Sequence, residues 1–507
     1  MQKQLKQYAA RYAQYGARLL SSERFYYFIL LFFIVQAVWI AISAQYPMAF
    51  DENFHFGLIK LHADQWLPYF TSQPAHAEAY GAAVRDPSYL YHFLMSIPYR
   101  GLTVVTDSET AQIIGLRLIN VMFVVATLIL FRRLLAKLGA SRALNHLCLF
   151  LFTMVPIVPF LGAHINYDNL FNLLTVGILL LTIRWTEVLR KQRQFPLLLT
   201  ILIATLVMTT CLVKYAFLPI GVAVVGFMLY GLWRNYKVLS HLKKDWLHEI
   251  KSASRFMVVG TLVLCVAISF LFVERYAQNF LQYHGPNPDC GKVLSVDECL
   301  SYGPWGRDHR LAENKSDVVH TNFGYYVVQW VYGMWTRSFF AINYNYRTAS
   351  PLPVPAYTAL ALAAVTVVLT IIYGYRIFAR KPYLVFCGLI IVAYVGALFM
   401  QTYKSYLATN VPVAINGRYL IPLLPVIFLI SGYGFRELFA KRQSLKTGAA
   451  TVVCVLFLLG GGFMTFIVRS DSTWYWHSAF IDQINHTART VLTPVIPHYI
   501  VDRDQSL

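Results

Sequence analysis

Long apolar runs separated by short polar segments dominate the pattern along this chain of 507 residues. A run of about twenty apolar residues is long enough to cross a bilayer as a helix. The pattern therefore predicts an all-α polytopic membrane protein with eleven spans. The predicted spans are Phe25–Ala44, Ile113–Phe131, Leu147–Ala163, Leu170–Ile183, Phe195–Leu212, Phe217–Trp233, Phe256–Val273, Ala356–Tyr373, Tyr383–Met400, Tyr419–Phe439 and Ala449–Val468. The fourth run is short, and we expect its helix to extend toward Leu189.

The distribution of Lys and Arg predicts the direction of these spans. With the N-terminus in the cytoplasm, the inner segments hold 26 basic and five acidic residues, a charge of +21. The other 17 basic and 19 acidic residues leave the rest of the chain at −2. Short cytoplasmic loops collect Lys and Arg in this way. The net charge of +19 thus reflects topology, so we expect no nucleic-acid partner, and the C-terminal tail is predicted to lie outside.

The spans divide the chain into a basic cytoplasmic N-terminus (1–24), a transmembrane domain (25–468) and an outer tail (469–507). Two outer segments within the domain are large, 45–112 and 274–355. The apolar run Tyr89–Val105 belongs to the first. This run contains a proline and an arginine. Counting it as a span would also place the basic loop that starts at Arg132 outside the cell. We therefore predict an interfacial helix there. No internal repeat is present, which counts against transporters built from two similar halves.

Composition and cysteine placement agree with this topology. Hydrophobic residues make up 57% of the chain and charged residues 13%, about half the charged fraction of soluble proteins. The long charged N-terminus and first apolar run are unlike a cleavable signal peptide. Five of the seven cysteines lie in predicted spans, whereas Cys290 and Cys299 share the second outer segment. That side is oxidising in most cells, so we expect a disulfide between them. A zinc site would need two more ligands nearby.

The first outer segment opens with the acidic pair Asp51 and Glu52, followed by His55 and His62. In a helix, Asp51 and the two histidines share one face. An apolar stripe is formed by Phe54, Leu58 and Leu61. An amphipathic helix on the membrane would then present a carboxylate at the bilayer surface. The alternative is that the two acids simply cap the helix, because acidic residues suit a first turn.

Further polar groups lie at the outer ends of the predicted spans. Ionisable groups at membrane depth are costly, which makes them candidates for function, although Lys and Arg can also snorkel to the headgroups. A second cluster, in which Asp86 precedes a proline, is also interpreted as an ordinary turn. The candidates at the span ends are Arg117, His164, Asn166, Asp168, Lys214 and Arg418, whereas Arg85, Asp86 and His92 belong to the first outer segment. Together they could surround one outer cavity in which cations hold a lipid phosphate and a carboxylate serves as a base.

Two motifs resemble a known superfamily. The Phe-Asp-Glu-x-x-His-Phe-Gly sequence at 50–57 resembles a segment of protein O-mannosyltransferases and related GT-C-type glycosyltransferases, including lipid A aminoarabinose transferase-like enzymes. The Asn-Gly-Arg-Tyr-x-x-Pro sequence at 416–422 resembles the entry to a late span in the same superfamily. The resemblance implies an inverting transferase that uses a polyprenyl-phosphate sugar donor, with Asp51 as the base and Glu52 and His55 beside it.

The expected function is therefore transfer of a sugar to a hydroxyl acceptor on the outer face of a plasma membrane, bacterial by expectation. Lys214, Arg418 and Arg117 are expected to bind the donor phosphate, and the other candidates to contact substrate. The acceptor class, whether glycolipid, polysaccharide or protein, stays open. The chemistry requires no cofactor, although a divalent metal on Asp51 and Glu52 is an open alternative. A flippase for a lipid-linked saccharide and a non-catalytic assembly subunit are the competing functions.

Overall fold

The computed structural model describes residues 14–48, 51–191, 193–237, 249, 253–315, 322–339, 354–459, 466–467, 470, 472–492 and 494. Parts of several predicted segments lie outside these residues: most of the basic N-terminus, two stretches of the second outer segment, the end of the last span and both ends of the outer tail.

Within the described residues the regular structure is helical, and strand-like pairing is seen only as an isolated bridge between Ala44 and Tyr475. Nineteen helices are numbered here. They are α1 Glu23–Ser43, α2 Glu52–Ala63, α3 Leu90–Val105, α4 Glu109–Lys137, α5 Arg142–Met154, α6 Ile157–Gly162, α7 Tyr167–Lys191, α8 Leu197–Val213, α9 Leu218–Arg234, α10 Arg255–Phe272, α11 Gln278–Tyr283, α12 Val296–Leu300, α13 Gly303–Glu313, α14 Phe323–Phe339, α15 Val354–Phe378, α16 Pro382–Thr409, α17 Leu424–Leu438, α18 Gln443–Leu459 and α19 Ala479–Leu492.

Seven of the described helices are long and apolar enough to cross a membrane, and α8 and α18 are shorter apolar helices. These nine coincide with nine of the eleven predicted spans. The extension of the fourth span is confirmed, because α7 runs to Lys191. An integral membrane protein is thus indicated by length and composition, while the number of crossings and their direction stay predictions.

Two predicted spans differ from the structure because prolines interrupt them. The third is divided into α5 and α6 at Val155, whose backbone is extended immediately before Pro156. A proline disfavours helical geometry in the residue before it and cannot donate a backbone hydrogen bond. The tenth begins as a single 3₁₀ turn, Gly417–Leu420, and α17 starts afresh at Leu424 with Pro425 in its first turn.

The outer segments are folded against each other. In the first, α2 packs along α3. In the second, α10 continues through a π-helical turn, Val273–Ala277, into α11. The guanidinium of Arg275 in this turn donates to the carbonyl of Val84 in the first segment. The second outer segment is therefore largely helical in its described part, and it fixes the segment that carries the acidic pair.

The apolar stripe on α2 faces protein. Leu58 is buried, and Phe54 and Leu61 pack around it together with Phe70 and Val84. The prediction that α2 lies with this stripe against the bilayer is wrong. The stripe instead packs α2 against apolar residues of the turns that follow it in the same outer segment.

Candidate active site

Asp51 stands at the N-terminus of α2 in a left-handed backbone conformation, with φ 72°. Asp and Asn adopt this conformation more readily than most residues. Its side chain makes no capping hydrogen bond, so the alternative that Asp51 caps the helix is wrong. The carboxylate is half exposed and accepts a 2.7 Å hydrogen bond from Nη2 of Arg418. The surrounding protein removes part of the water around the group, which acts to raise its pKa. The Arg418 guanidinium outweighs this effect, and the pKa of Asp51 lies below its usual value.

Glu52 has different partners and is fully buried. It receives two hydrogen bonds from Arg117, of 2.8 and 2.7 Å, and Arg117 is equally buried. The same carboxylate accepts from the backbone N–H groups of Met48 and Ile165. Arg117 also donates to the carbonyl of Ala44 at the end of α1. This buried pair joins α1, α2, α4 and the turn before α7, so a catalytic role for Glu52 and a phosphate-binding role for Arg117 disagree with the structure.

Four charged side chains form a continuous row, which we call the charge row: Asp51, Arg418, Asp168 and Lys214. Arg418 Nε lies 3.8 Å from Asp168 Oδ2, and Lys214 forms an ion pair with Asp168 Oδ1. Asp168, Lys214 and Arg418 are each less than a tenth exposed, whereas the side chain of Asp51 is half exposed. Charges alternate along the row, which lowers the cost of burying them.

Each member of the charge row is positioned by an element boundary. Lys214 lies between α8 and a 3₁₀ turn, and its ammonium sits 4.6 Å from the ring centre of Tyr167 and 4.8 Å from that of Tyr419. Arg418 follows Gly417, where a Cβ atom would stand 1.9 Å from the Ser338 hydroxyl and 2.1 Å from a carbonyl of α14. Glycine is therefore required for this turn to approach α14.

The polar turn before α7 supports the row from behind. Asn166 accepts a 2.8 Å hydrogen bond from the backbone N–H of Asp168, and Asn169 donates to the carbonyls of Leu161 and His164. His164 and Asn166 have no exposed surface. Their expected contact with substrate is not supported by this structure, because they are packed inside the protein and hold Asp168 in place.

Three histidines of the first outer segment, His55, His62 and His92, are also interior. His55 Nδ1 and His92 Nε2 are 2.9 Å apart, and His62 stacks on Phe70. All three are at most 1% exposed. Burial lowers the pKa of His62 to about 3 and holds those of His55 and His92 well below the usual value. The expected catalytic role of His55 and substrate contact of His92 disagree with this placement.

Asp86 begins a turn in which its Oδ1 accepts from the backbone N–H of Ser88 at 2.8 Å. The turn interpretation is confirmed. Burial raises the pKa of the Asp86 carboxyl, although the Ser88 N–H and the Arg275 guanidinium act against it. Arg85 donates to Gln278 at 2.7 Å and therefore ties this turn to α11. Their predicted contact with substrate stays a prediction.

The expected disulfide between Cys290 and Cys299 is present. It closes a short loop just before Tyr302, whose ring packs on Gly81 and lies 5.9 Å from the ring of Phe54. Burial is the main cause that raises the pKa of Tyr302, and the nearby carboxylates of Asp86 and Asp51 raise it further. This tyrosine was missed by the sequence analysis, since nothing in its own segment indicates that it approaches the acidic pair.

Glu52 is engaged by Arg117 while Asp51 faces Arg418, so the two adjacent carboxylates do not converge as ligands for one metal ion. Among the residues that the structure describes, no group of three His, Cys, Asp or Glu side chains could hold a metal.

No protein-family model matches this chain, and no curated protein matches it. Among solved structures, the chain is similar to the archaeal oligosaccharyltransferase AglB from Archaeoglobus fulgidus, in complex with an inhibitory peptide and a dolichol-phosphate. The TM-score is 0.43 and the sequence identity 13%, over 88% of this chain. The match covers 56% of the AglB chain, so this chain spans little more than half the length of that protein.

Proposed function

We propose that this protein is an inverting glycosyltransferase that moves a sugar from a polyprenyl-phosphate donor to a hydroxyl acceptor on the outer face of a plasma membrane. The charge row carries the proposal. It places one half-exposed carboxylate, Asp51, beside two buried cations, Arg418 and Lys214, at the ends of apolar helices. Such a site suits a substrate that combines a lipid tail, a phosphate and a sugar.

Asp51 is the proposed base. Its lowered pKa keeps the carboxylate ionised at neutral pH. In the proposed reaction, the acceptor hydroxyl gives its proton to Asp51 while its oxygen forms a bond to the anomeric carbon. The bond between that carbon and the donor phosphate breaks, and the electron pair leaves on the phosphate as polyprenyl phosphate. Attack from the face opposite the leaving phosphate inverts the anomeric centre.

Arg418 and Lys214 are the proposed phosphate ligands. In the charge row both cations are neutralised by Asp51 and Asp168. A donor phosphate would take the place of carboxylate oxygens around Arg418, whose planar guanidinium suits a bidentate contact. Moving Arg418 from Asp51 to the phosphate would also free Asp51 to accept a proton, so donor binding would activate the base.

Binding of polyprenyl phosphate without a sugar tests this division of roles. The full chain is purified into nanodiscs, and the affinity is measured for wild type, Lys214→Met, Arg418→Ala and Asp51→Asn. The control is Lys404→Ala, which removes an exposed positive charge of α16. We expect the two site-cation variants to bind at least about tenfold more weakly and the control to bind like wild type. Asp51→Asn should bind at least as tightly as wild type, because it removes the carboxylate that competes with the phosphate for Arg418.

Transfer itself is tested by mass spectrometry of glycolipids, wall polymers and exported proteins from cells with and without the gene. Asp51→Asn should lower transfer by ~10²–10⁴-fold. Folded Lys214→Met and Arg418→Ala proteins that bind polyprenyl phosphate like wild type would contradict the phosphate site. An Asp51→Asn protein with wild-type transfer would contradict the base.

A further inference from the structure

An apolar groove lies along the C-terminal half of α1, and none of its lining residues belongs to the charge row. Its volume is about 130 Å³, similar to an engineered cavity that holds one benzene molecule. The groove is lined by Phe32, Val35, Gln36, Trp39 and Ile40 of α1 and by Ile467. The α1 positions follow the spacing of one helix face.

Gln36 is the unusual member of this lining. Its side chain is 5% exposed, and among the residues that the structure describes neither its amide nitrogen nor its amide oxygen has a hydrogen-bond partner. A buried polar group without a partner is costly in an apolar environment, and an unpaired N–H is rarer than an underused carbonyl. The described lining of the groove therefore offers Gln36 no hydrogen-bond acceptor, and an occupant could supply one.

The groove lies on a lipid-facing part of α1, close to the membrane interface. The neighbouring face of α1 carries Phe28 and Leu31, half or more exposed on a span-length apolar helix, so it contacts lipid chains. One turn beyond Gln36, the indole of Trp39 donates a 3.0 Å hydrogen bond to Asn485 of α19. Tryptophans concentrate at the membrane interface. Gln36 thus lies roughly 5 Å below an interfacial tryptophan, at 1.5 Å of rise per residue.

We propose that this groove binds a glycerolipid, with an acyl chain against its apolar wall and an ester carbonyl accepting a hydrogen bond from Gln36 Nε2. Ester carbonyls are the acceptors that a bilayer offers just below its headgroups. A groove of about 130 Å³ has room for part of a hydrocarbon chain but not for a helix, which is about 10 Å wide with its side chains. The indole of Trp39, held by Asn485, keeps the upper wall in place. This proposal is independent of the catalytic one.

The test compares an ester lipid with an ether lipid that lacks the carbonyl. The delipidated full chain is titrated with dioleoyl phosphatidylcholine or its dioleyl ether analogue, and binding is followed by native mass spectrometry. We expect wild type to bind the ester roughly 3- to 10-fold more tightly, the range for one hydrogen bond. Gln36→Leu should bind both lipids equally.

Two further variants separate the groove from the rest of the surface. Val35→Phe, which enlarges a side chain already 61% exposed, should block the groove and abolish both the preference and the tightest binding event. Gln483→Leu makes the same chemical change as Gln36→Leu at an exposed position of α19 and should keep the ester preference. Equal ester and ether binding by wild type, or a preference that survives Gln36→Leu, would overturn the proposal. A dimer that Gln36→Leu dissociates would identify a second copy as the occupant and overturn it as well.

Discussion

Neutralising Glu52 should destabilise the fold, whereas neutralising the adjacent Asp51 should leave stability unchanged. Glu52→Gln replaces a carboxylate that is fully buried and receives two hydrogen bonds from Arg117 and two from backbone N–H groups. The change leaves the Arg117 guanidinium buried with no negative charge opposite it. Breaking a buried ion pair in this way costs about 3–5 kcal/mol of folding free energy. Asp51→Asn changes a half-exposed group instead, and Asn suits the same left-handed backbone.

Thermal unfolding of the purified proteins in one detergent measures this difference. We expect the Tm of Glu52→Gln to fall by several degrees or the protein to be lost during purification, while Asp51→Asn keeps the wild-type Tm. The double variant Glu52→Gln, Arg117→Met removes the stranded charge and should recover part of the loss, since apolar replacements of buried pairs are often tolerated. A Glu52→Gln protein as stable as wild type, but inactive, would refute the structural role and return Glu52 to the catalytic machinery.

Three other outcomes follow from the site geometry. The pKa of Asp51 lies below its usual value, so the carboxylate stays in its base form at every pH above that lowered pKa. The kcat/KM of transfer should therefore stay flat as the pH falls toward about 5. An inflection near 7 would assign the base to another group. Replacing both Cys290 and Cys299 by Ser should lower stability by about 2–3 kcal/mol through the short closed loop, measured as a drop in Tm that reductant reproduces in wild type; unchanged melting with and without reductant would argue against a stabilising role. Gly417→Ala should abolish polyprenyl-phosphate binding. Adding Ser338→Ala should not restore it, because a backbone carbonyl also stands 2.1 Å from the new Cβ. Full binding by the single variant would show that the turn can move away from α14.

The helices were predictable because apolar run length is a local property. Nine predicted spans coincide with long or shorter apolar helices, and the two exceptions contain prolines that were already visible in the sequence. The disulfide was also predictable, because only Cys290 and Cys299 lie outside the spans on one side.

The candidate site was predicted as a set of residue types but not as an arrangement. Lys214, Asp168 and Arg418 do meet, as expected for ionisable groups that are too costly to leave unpaired at membrane depth. Arg117 was chosen by the same logic, and His55 and His92 from the polar segments of the first outer segment, yet all three are interior. A local pattern cannot distinguish a polar group that faces a cavity from one whose partner lies across the fold.

Asp51 and Glu52 show where the sequence by itself stops. Sequence determined that two carboxylates follow the first apolar run, and it predicted that Lys214 and Arg418 lie on the same side of the membrane. The tertiary structure alone decided that one carboxylate faces Arg418 at the site while its neighbour is buried against Arg117. Adjacent side chains at a helix start point in different directions, and their partners lie 367 and 65 residues away along the chain. Only the packing of distant helices brings those partners into contact, so their roles could be separated only in three dimensions.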